Sequence, residues 1–344
     1  MKLIRQTVML GIVAVLLMSC GIKTLSASEL NFAVIPQKPK NQIDMKKGYF
    51  DLKVKPNQQQ ELTVLLKNTT NKAVTIKPKI AATTTNNGGV VEYGPTDKKA
   101  DQTLKHNITD IVTTEKKVTI KADSTYKLKL KVKAPQESFK GSVTGGLTLE
   151  EEVKADDKKS SGSGMSINNR YSYVVGIELR EDTSKVKPEL KLNKVEPSQR
   201  NYRNIIGANI QNIKPTYVNQ LKVTAEITKK DSDTVLYQSK KEKMQMAPNS
   251  NFDFPVELGE GKELKPGTYT LNMVAKSYKN EWRWTKDFTI SGEVAKALND
   301  KDVTIEKSYL MYYIVGGIVL LLLMGLILFF ILKKRKKQEE NNEI

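Results

Sequence analysis

Few side chains in this sequence could make or break a covalent bond. The single histidine, His106, has Asp110 four residues on, yet no serine sits in a Gly-x-Ser-x-Gly elbow, so a Ser-His-Asp arrangement has no nucleophile prepared for it. The single cysteine, Cys20, lies in an N-terminal apolar stretch. Without it there remain one histidine and no acidic loop of calcium-binding spacing, so neither a zinc nor a calcium site is expected. No catalytic residue, metal or cofactor is expected, and the chain reads as a binder rather than an enzyme. The residues best suited to binding are Trp282, Trp284, Tyr49 and the charged set Asp97, Lys98, Lys99 and Asp101. Aromatic rings can stack on sugars or anchor a protein partner. Trp282 and Trp284 share strand parity with Phe288 and Ile290, so the plainer reading turns both into a core. Tyr49 and Phe50 fall on opposite faces of their strand, which leaves Tyr49 the better exposed contact. The polar loop from Gly94 to His106 carries the charged set, and the edge strand it flanks could accept a partner strand by β-augmentation.

The elements that must position these residues are strands. Phe50, Leu52 and Val54 alternate with Asp51, Lys53 and Lys55; Leu62, Val64 and Leu66 alternate with Glu61, Thr63 and Lys67. Tyr126, Leu128, Leu130 and Val132 alternate with Lys127, Lys129, Lys131 and Lys133, the mark of an antiparallel strand with one solvated face. Turn signals such as Asn86-Asn87-Gly88-Gly89 recur between short strands, and no long helical pattern appears before the C-terminal segment. The fold class expected is all-β, two tandem immunoglobulin-like β-sandwiches. The first is placed at residues 29–155, a Lys/Ser/Gly-rich flexible connection at 156–168 and the second at 169–300. The alternating strand Tyr171 to Leu179 could instead close the first sandwich. Asn299 to Lys307 reads as a short polar stalk.

Both ends of the chain are apolar. Lys2 and Arg5 precede a short apolar core, and small residues follow near Ser28, as in a signal peptide over residues 1–28. Leu17-Met18-Ser19-Cys20 also looks like a lipobox, which would make Cys20 a lipidation site. At the other end an uncharged run from Tyr309 to Leu332, 24 residues counted inclusively, covers roughly 36 Å as a helix, enough for a hydrocarbon core of about 30 Å. Lys333, Lys334, Arg335, Lys336 and Lys337 follow it, and such a cluster keeps residues 333–344 cytoplasmic and the rest outside. No Leu-Pro-x-Thr-Gly precedes the run, so the helix itself is the expected anchor. The formal charge is +18. Setting aside three cations at the N-terminus and a net +2 in the tail leaves +13 on the exported part. That topology excludes nucleic acid and points to anionic wall polymers such as teichoic acids, with simple solvation of strand faces as the plain alternative.

Several short motifs fall in a recognisable order. Asn41-Gln42, Gly48-Tyr49-Phe50-Asp51-Leu52, Pro56, Asn68, the Thr-rich Ala82 to Asn87 with Gly89 and Tyr93, and Gly141, Gly145 and Gly146 resemble the first domain of WxL-interacting proteins. Asn168-Asn169-Arg170-Tyr171, Met246-Ala247-Pro248-Asn249-Ser250 with Phe252, Pro266-Gly267-Thr268-Tyr269, and Trp282 with Phe288 are similar to that family's second domain. The resemblance implies a single-pass surface protein of Gram-positive bacteria. It would associate with WxL-domain surface proteins, bind peptidoglycan through its first domain, and bind host matrix proteins through its second. An extracytoplasmic chaperone for surface proteins is the alternative, and an enzyme using His106 the weakest reading. Trp282-Arg283-Trp284 lacks the leucine of a WxL motif, so the chain is expected to be the partner of such proteins.

Overall fold

The computed structural model describes residues 31–152, 172–306 and 310–341. The signal peptide, Cys20, the connection at 156–168 and the Asn168-Asn169-Arg170-Tyr171 motif lie outside the described residues, as do the side chains of Lys334, Arg335, Lys336 and Lys337. Two compact units emerge. One holds the chain through Thr83, Tyr93–Ala100 and Leu104–Val186; the other holds Thr84–Glu92, Asp101–Thr103 and everything from Lys187 on.

In chain order the elements of the N-terminal half are β1 (Phe32–Gln37), β2 (Phe50–Lys53), β3 (Gln59–Asn68), β4 (Val74–Ala82), β5 (Thr84–Thr85), β6 (Val91–Glu92), α1 (Ile108–Ile111), β7 (Val112–Thr114), β8 (Val118–Ile120), β9 (Thr125–Lys133), β10 (Val143–Glu151) and β11 (Ser172–Arg180). The first unit is a sandwich of sheets ordered β1-β3-β9-β7 and β2-β11-β10-β4-β8. Its core is the predicted apolar parity: Phe50, Leu52, Leu62, Val64, Leu66, Leu128 and Leu130 are all buried. A division at residue 169 would give β11 to the second domain, and here the structure corrects it. β11 runs antiparallel to β10 from Val143↔Leu179 to Glu150↔Ser172 and parallel to β2 on its other side. Val175, Ile177 and Leu179 thereby complete the first core. A second correction concerns β2, where Asp51, assigned by alternation to the solvated face, is fully buried.

Two adjacent glycines let other segments approach both faces of β10. A Cβ on Gly145 would lie 2.3 Å from Ile108 Cγ2 of α1 and 2.5 Å from the Ala81 carbonyl. On the opposite face a Cβ on Gly146 would lie 2.3 Å from the Tyr93 carbonyl. Glycine inside a strand is a site of close backbone approach, and here both directions are used.

The second unit is built from β12 (Leu190–Arg200), β13 (Arg203–Asn212), β14 (Val218–Lys229), β15 (Val235–Met246), β16 (Ser250–Glu257), β17 (Gly267–Ser277), β18 (Asn280–Ile290), α2 (Gly292–Asn299) and α3 (Leu310–Asn341). Its sheets are ordered β12-β13-β16 and β15-β14-β17-β18, and the β5-β6 hairpin belongs to the same unit. Phe252, Phe254, Leu221, Val223, Leu271 and Met273 fill its core. The helix α2 was not expected. Ser291 caps it by accepting from the Val294 N–H, and Ala295 is its buried contact.

The expected stalk is also corrected, because residues 299–304 are strapped to the sandwich. The Asn299 side chain exchanges hydrogen bonds with the Leu264 backbone at 2.9 and 3.0 Å. Buried Asp302 accepts from the Asn204 N–H at 2.7 Å. Val303 N–H donates to the Tyr202 carbonyl at 3.0 Å, and Gly261 N–H to Thr304 Oγ1 at 3.1 Å. These bonds satisfy backbone groups of the β12-β13 turn and of the loop between β16 and β17, which is why the polar sequence stays on the domain. Within α3, Tyr313–Lys333 is a 21-residue stretch of mean hydropathy 3.1 with no burial against the protein, long and apolar enough to cross a membrane.

Candidate functional site

The first unit gathers its most organised polar cluster around β2 and β11. Asp51 accepts from Lys47 Nζ at 2.6 Å and from the Arg180 guanidinium. Burial alone would raise the Asp51 carboxyl, but the hydrogen bonds from Arg180 and then Lys47 outweigh it and hold the group below the usual carboxylate range. Glu178 accepts from Ser142 Oγ at 2.6 Å and lies 3.6 Å from Arg180 Nε. Gln42 braces the loop before β2, donating to the Tyr49 carbonyl at 2.9 Å and accepting from the Asp51 N–H at 3.2 Å.

Tyr49 sits at the margin of this network. It is half-buried, with Lys47 Nζ 5.1 Å from its ring centroid, a cation–π distance. A Cβ on Gly176 would touch Tyr49 at 3.5 Å on one side and Tyr93 at 3.7 Å on the other. Gly176 pairs directly with Gly146, so the two tyrosines cover a notch that glycines leave on the outer face of the sheet. The result is an aromatic surface bordered by fixed charges. Lys47, Gly176 and Arg180 were not singled out from sequence, and Tyr93 only as part of the family motif. A glycine inside the alternating strand Tyr173 to Leu179 was the available signal; the partnership of Asp51 with Arg180 had none, since it joins distant positions.

The charged loop divides. Asp97, Lys98 and Lys99 are exposed and belong to the first unit. Asp101 belongs to the second, where it accepts from Gln211 Nε2 at 2.8 Å, Asn251 Nδ2 at 2.5 Å and Thr103 Oγ1 at 2.7 Å. Burial would raise its pKa, but these bonds lower it below the ordinary value. Asp101 is thus occupied by its own unit rather than offered to a partner. The Ala247 to Ser250 turn takes part in the same way: Asn249 donates to Thr103 at 3.1 Å, and Thr85 and Ser250 hydroxyls meet at 2.7 Å. His106 packs its ring 5.6 Å from Phe139.

Trp282 and Trp284 lie opposite Ala275 and Met273 on β18 and pack against the second core, yet both remain half-buried. Parity aimed them inward correctly. β18 is an edge strand of its sheet, and β12 of the other sheet approaches it, Lys286 Nζ donating to the Asn193 carbonyl. A separate feature is the outer face of β9, where Lys127, Lys129, Lys131 and Lys133 are all exposed and Lys129 meets Glu61 at 2.5 Å.

Residues 32–151 match the peptidoglycan binding domain of the WxL Interacting Protein family, and residues 162–300 match its host binding domain. This chain belongs to the WxL-interacting proteins. The second match begins ahead of β11, a strand that pairs in the first sandwich. No curated protein matches the sequence. Among solved structures, similarity extends to a chain of the CsuC-CsuE chaperone-tip adhesion subunit pre-assembly complex from Acinetobacter baumannii, at 13% identity, covering 74% of this chain and 98% of that one with a TM-score of 0.33. The YadV chaperone (12% identity, 75% and 100% covered, TM-score 0.30) and the E. coli chaperone DraB (10%, 76% and 98%, TM-score 0.28) are similar to about the same degree. At that distance nothing about what this WxL-interacting protein binds follows from them.

Proposed function

We propose that this protein is a membrane-anchored adaptor of the bacterial surface that holds WxL-domain proteins and grips the wall without a covalent link. Two domains of a binding family make it a cell-surface binding protein; the observation that supports the anchored form is α3, whose apolar stretch ends at Lys333 with four further cations behind it. In this reading the first sandwich contacts peptidoglycan through the Tyr49 surface. The lysine face of β9 adds attraction to anionic wall polymer. The second sandwich presents Trp282 and Trp284 on an edge strand, where a protein strand of host matrix or of a WxL-domain protein can add to β18 by main-chain pairing. The exposed Asp97, Lys98 and Lys99 are a further contact.

Affinity capture with the full-length protein from detergent-solubilised envelopes tests the adaptor role. WxL-domain proteins are expected in the eluate at low salt, and their absence after cross-linking of intact cells would defeat this part of the proposal. Wall contact is tested separately by sedimentation with purified peptidoglycan, where Tyr49→Ala is expected to lower the bound fraction.

A further inference from the structure

The end of the second sandwich nearest α3 carries an unusual share of exposed apolar surface. Tyr202 is 70% exposed and Val303 71%, and Val235, Leu236 and Val294 are exposed beside them in the chain order of that end. The register brings these residues to one pole: the β12-β13 turn holds Tyr202, the β14-β15 turn leads into Val235, and β17 begins opposite the end of β18 at Gly267↔Ile290. Tyr202 and Val303 are joined by a backbone hydrogen bond of 3.0 Å. Leu236 and Ile305 also line a cleft of 960 Å³ that opens at this pole.

Such side chains on a soluble loop tip ordinarily mark a contact, and the chain itself says with what. Thr304 is fastened to Gly261, and Asp302 to Asn204. Only residues 305–309 separate Thr304 from the first residue of α3, and the six steps from Thr304 to Leu310 reach no more than about 22 Å when fully extended. The pole is therefore tethered close to any bilayer that α3 enters, within reach of its interfacial layer. We propose that this pole rests on the membrane, with Tyr202 and Val303 inserted into the interfacial layer and the neighbouring apolar residues against it. The proposal rests on α3 being a membrane span.

The contact is apolar rather than electrostatic. Three ion pairs lie at the pole, Arg200 with Glu257 at 2.5 Å, Lys230 with Asp287 at 3.2 Å and Lys296 with Asp300 at 2.7 Å, and the other charges around the cleft carry both signs, Lys229, Lys262 and Lys265 beside Glu260, Glu263 and Glu306. A surface of mixed sign gains little from anionic lipid, whereas tyrosine and valine gain from leaving water wherever a headgroup region lies.

The test uses the full chain with Cys20→Ser, reconstituted in zwitterionic phosphatidylcholine nanodiscs and spin-labelled at one introduced cysteine. Labels at Tyr202→Cys and Val303→Cys are expected to be several-fold less accessible to a water-soluble nickel relaxant than a label at Tyr278→Cys, an exposed position in the turn between β17 and β18. The difference should survive high salt. Equal accessibility at all three positions would overturn the proposal. A Val319→Cys label in α3 separates the two ideas: if it is shielded while positions 202 and 303 are not, the helix spans and the pole stands clear; if it too is water-exposed, the anchoring fails and the resting contact with it. A difference that vanishes in high salt, or appears only with anionic lipid, would replace the apolar contact with an electrostatic one and so also overturn it.

Discussion

At the scale of single residues, the carboxylates carry the clearest expectations. Asp51 is ionised inside the protein, with two cations turned toward it. Asp51→Ala leaves Arg180 and Lys47 partly desolvated and without their partner, so a loss of about 2–3 kcal/mol in the stability of the first unit is expected, less than for a fully buried pair because both cations keep some water. Chemical denaturation measures it. Since the folded-state pKa is depressed, the stabilisation is present in full above the ordinary carboxylate value near 3.9 and is lost as pH falls through the lower folded value. The gap in stability between the wild type and Asp51→Asn should therefore be wide at pH 7 and narrow toward pH 3. Tyr49 was legible as a surface aromatic because strand parity opposes it to Phe50. Its neighbours were not, because parity reports which way a side chain points and not which distant residue meets it. Asp51 shows the limit from the other side: a residue on the outward parity is buried because Lys47, Arg180 and Gln42 close over it.

At the scale of elements, periodicity predicted β2, β3, β9 and β11, since alternation is what a half-buried strand requires, while the long strands β13 and β15 were not read from it. It could not say that β11 closes the first sheet, because a strand with one apolar face fits either sandwich and pairing decides. Nor did the short α2 announce itself among residues that read as a strand end and a stalk. The glycine pair in β10 is a stronger constraint than its two letters suggest. Gly146→Ala would drive a methyl into the Tyr93 backbone, and since backbone rather than a flexible side chain is the obstacle, destabilisation of about 1–3 kcal/mol is expected. The same substitution should displace Tyr93 from the aromatic surface. Thermal unfolding and peptidoglycan sedimentation read the two effects, and unchanged stability would mean that the segment carrying Tyr93 yields without cost.

At the scale of the whole molecule, charge bears on the wall contact proposed above. The protein is basic overall, and β9 lines up four of its exposed lysines at every second residue, about 6.8 Å apart along the strand. A linear polyanion lying along that strand would release counterions in proportion to the charges it neutralises, as nucleic acids do. Replacing Lys127, Lys129, Lys131 and Lys133 with glutamine is expected to weaken binding to purified teichoic acid at least tenfold in low salt and to flatten its salt dependence, with peptidoglycan sedimentation unchanged. If binding and slope both persist, the lysines serve solubility alone.

The strap from Asn299 to Thr304 also dictates an order of events. A chain exported from its N-terminus delivers β12 to β18 first, while the strap and α3 follow last. Until they emerge, the Asn204 N–H and the Leu264 backbone lack the partners that Asp302 and Asn299 supply. With only five residues between strap and helix, the strap closes, in the anchored reading proposed above, only once α3 has reached the channel. In that reading the second sandwich is completed as its anchor arrives.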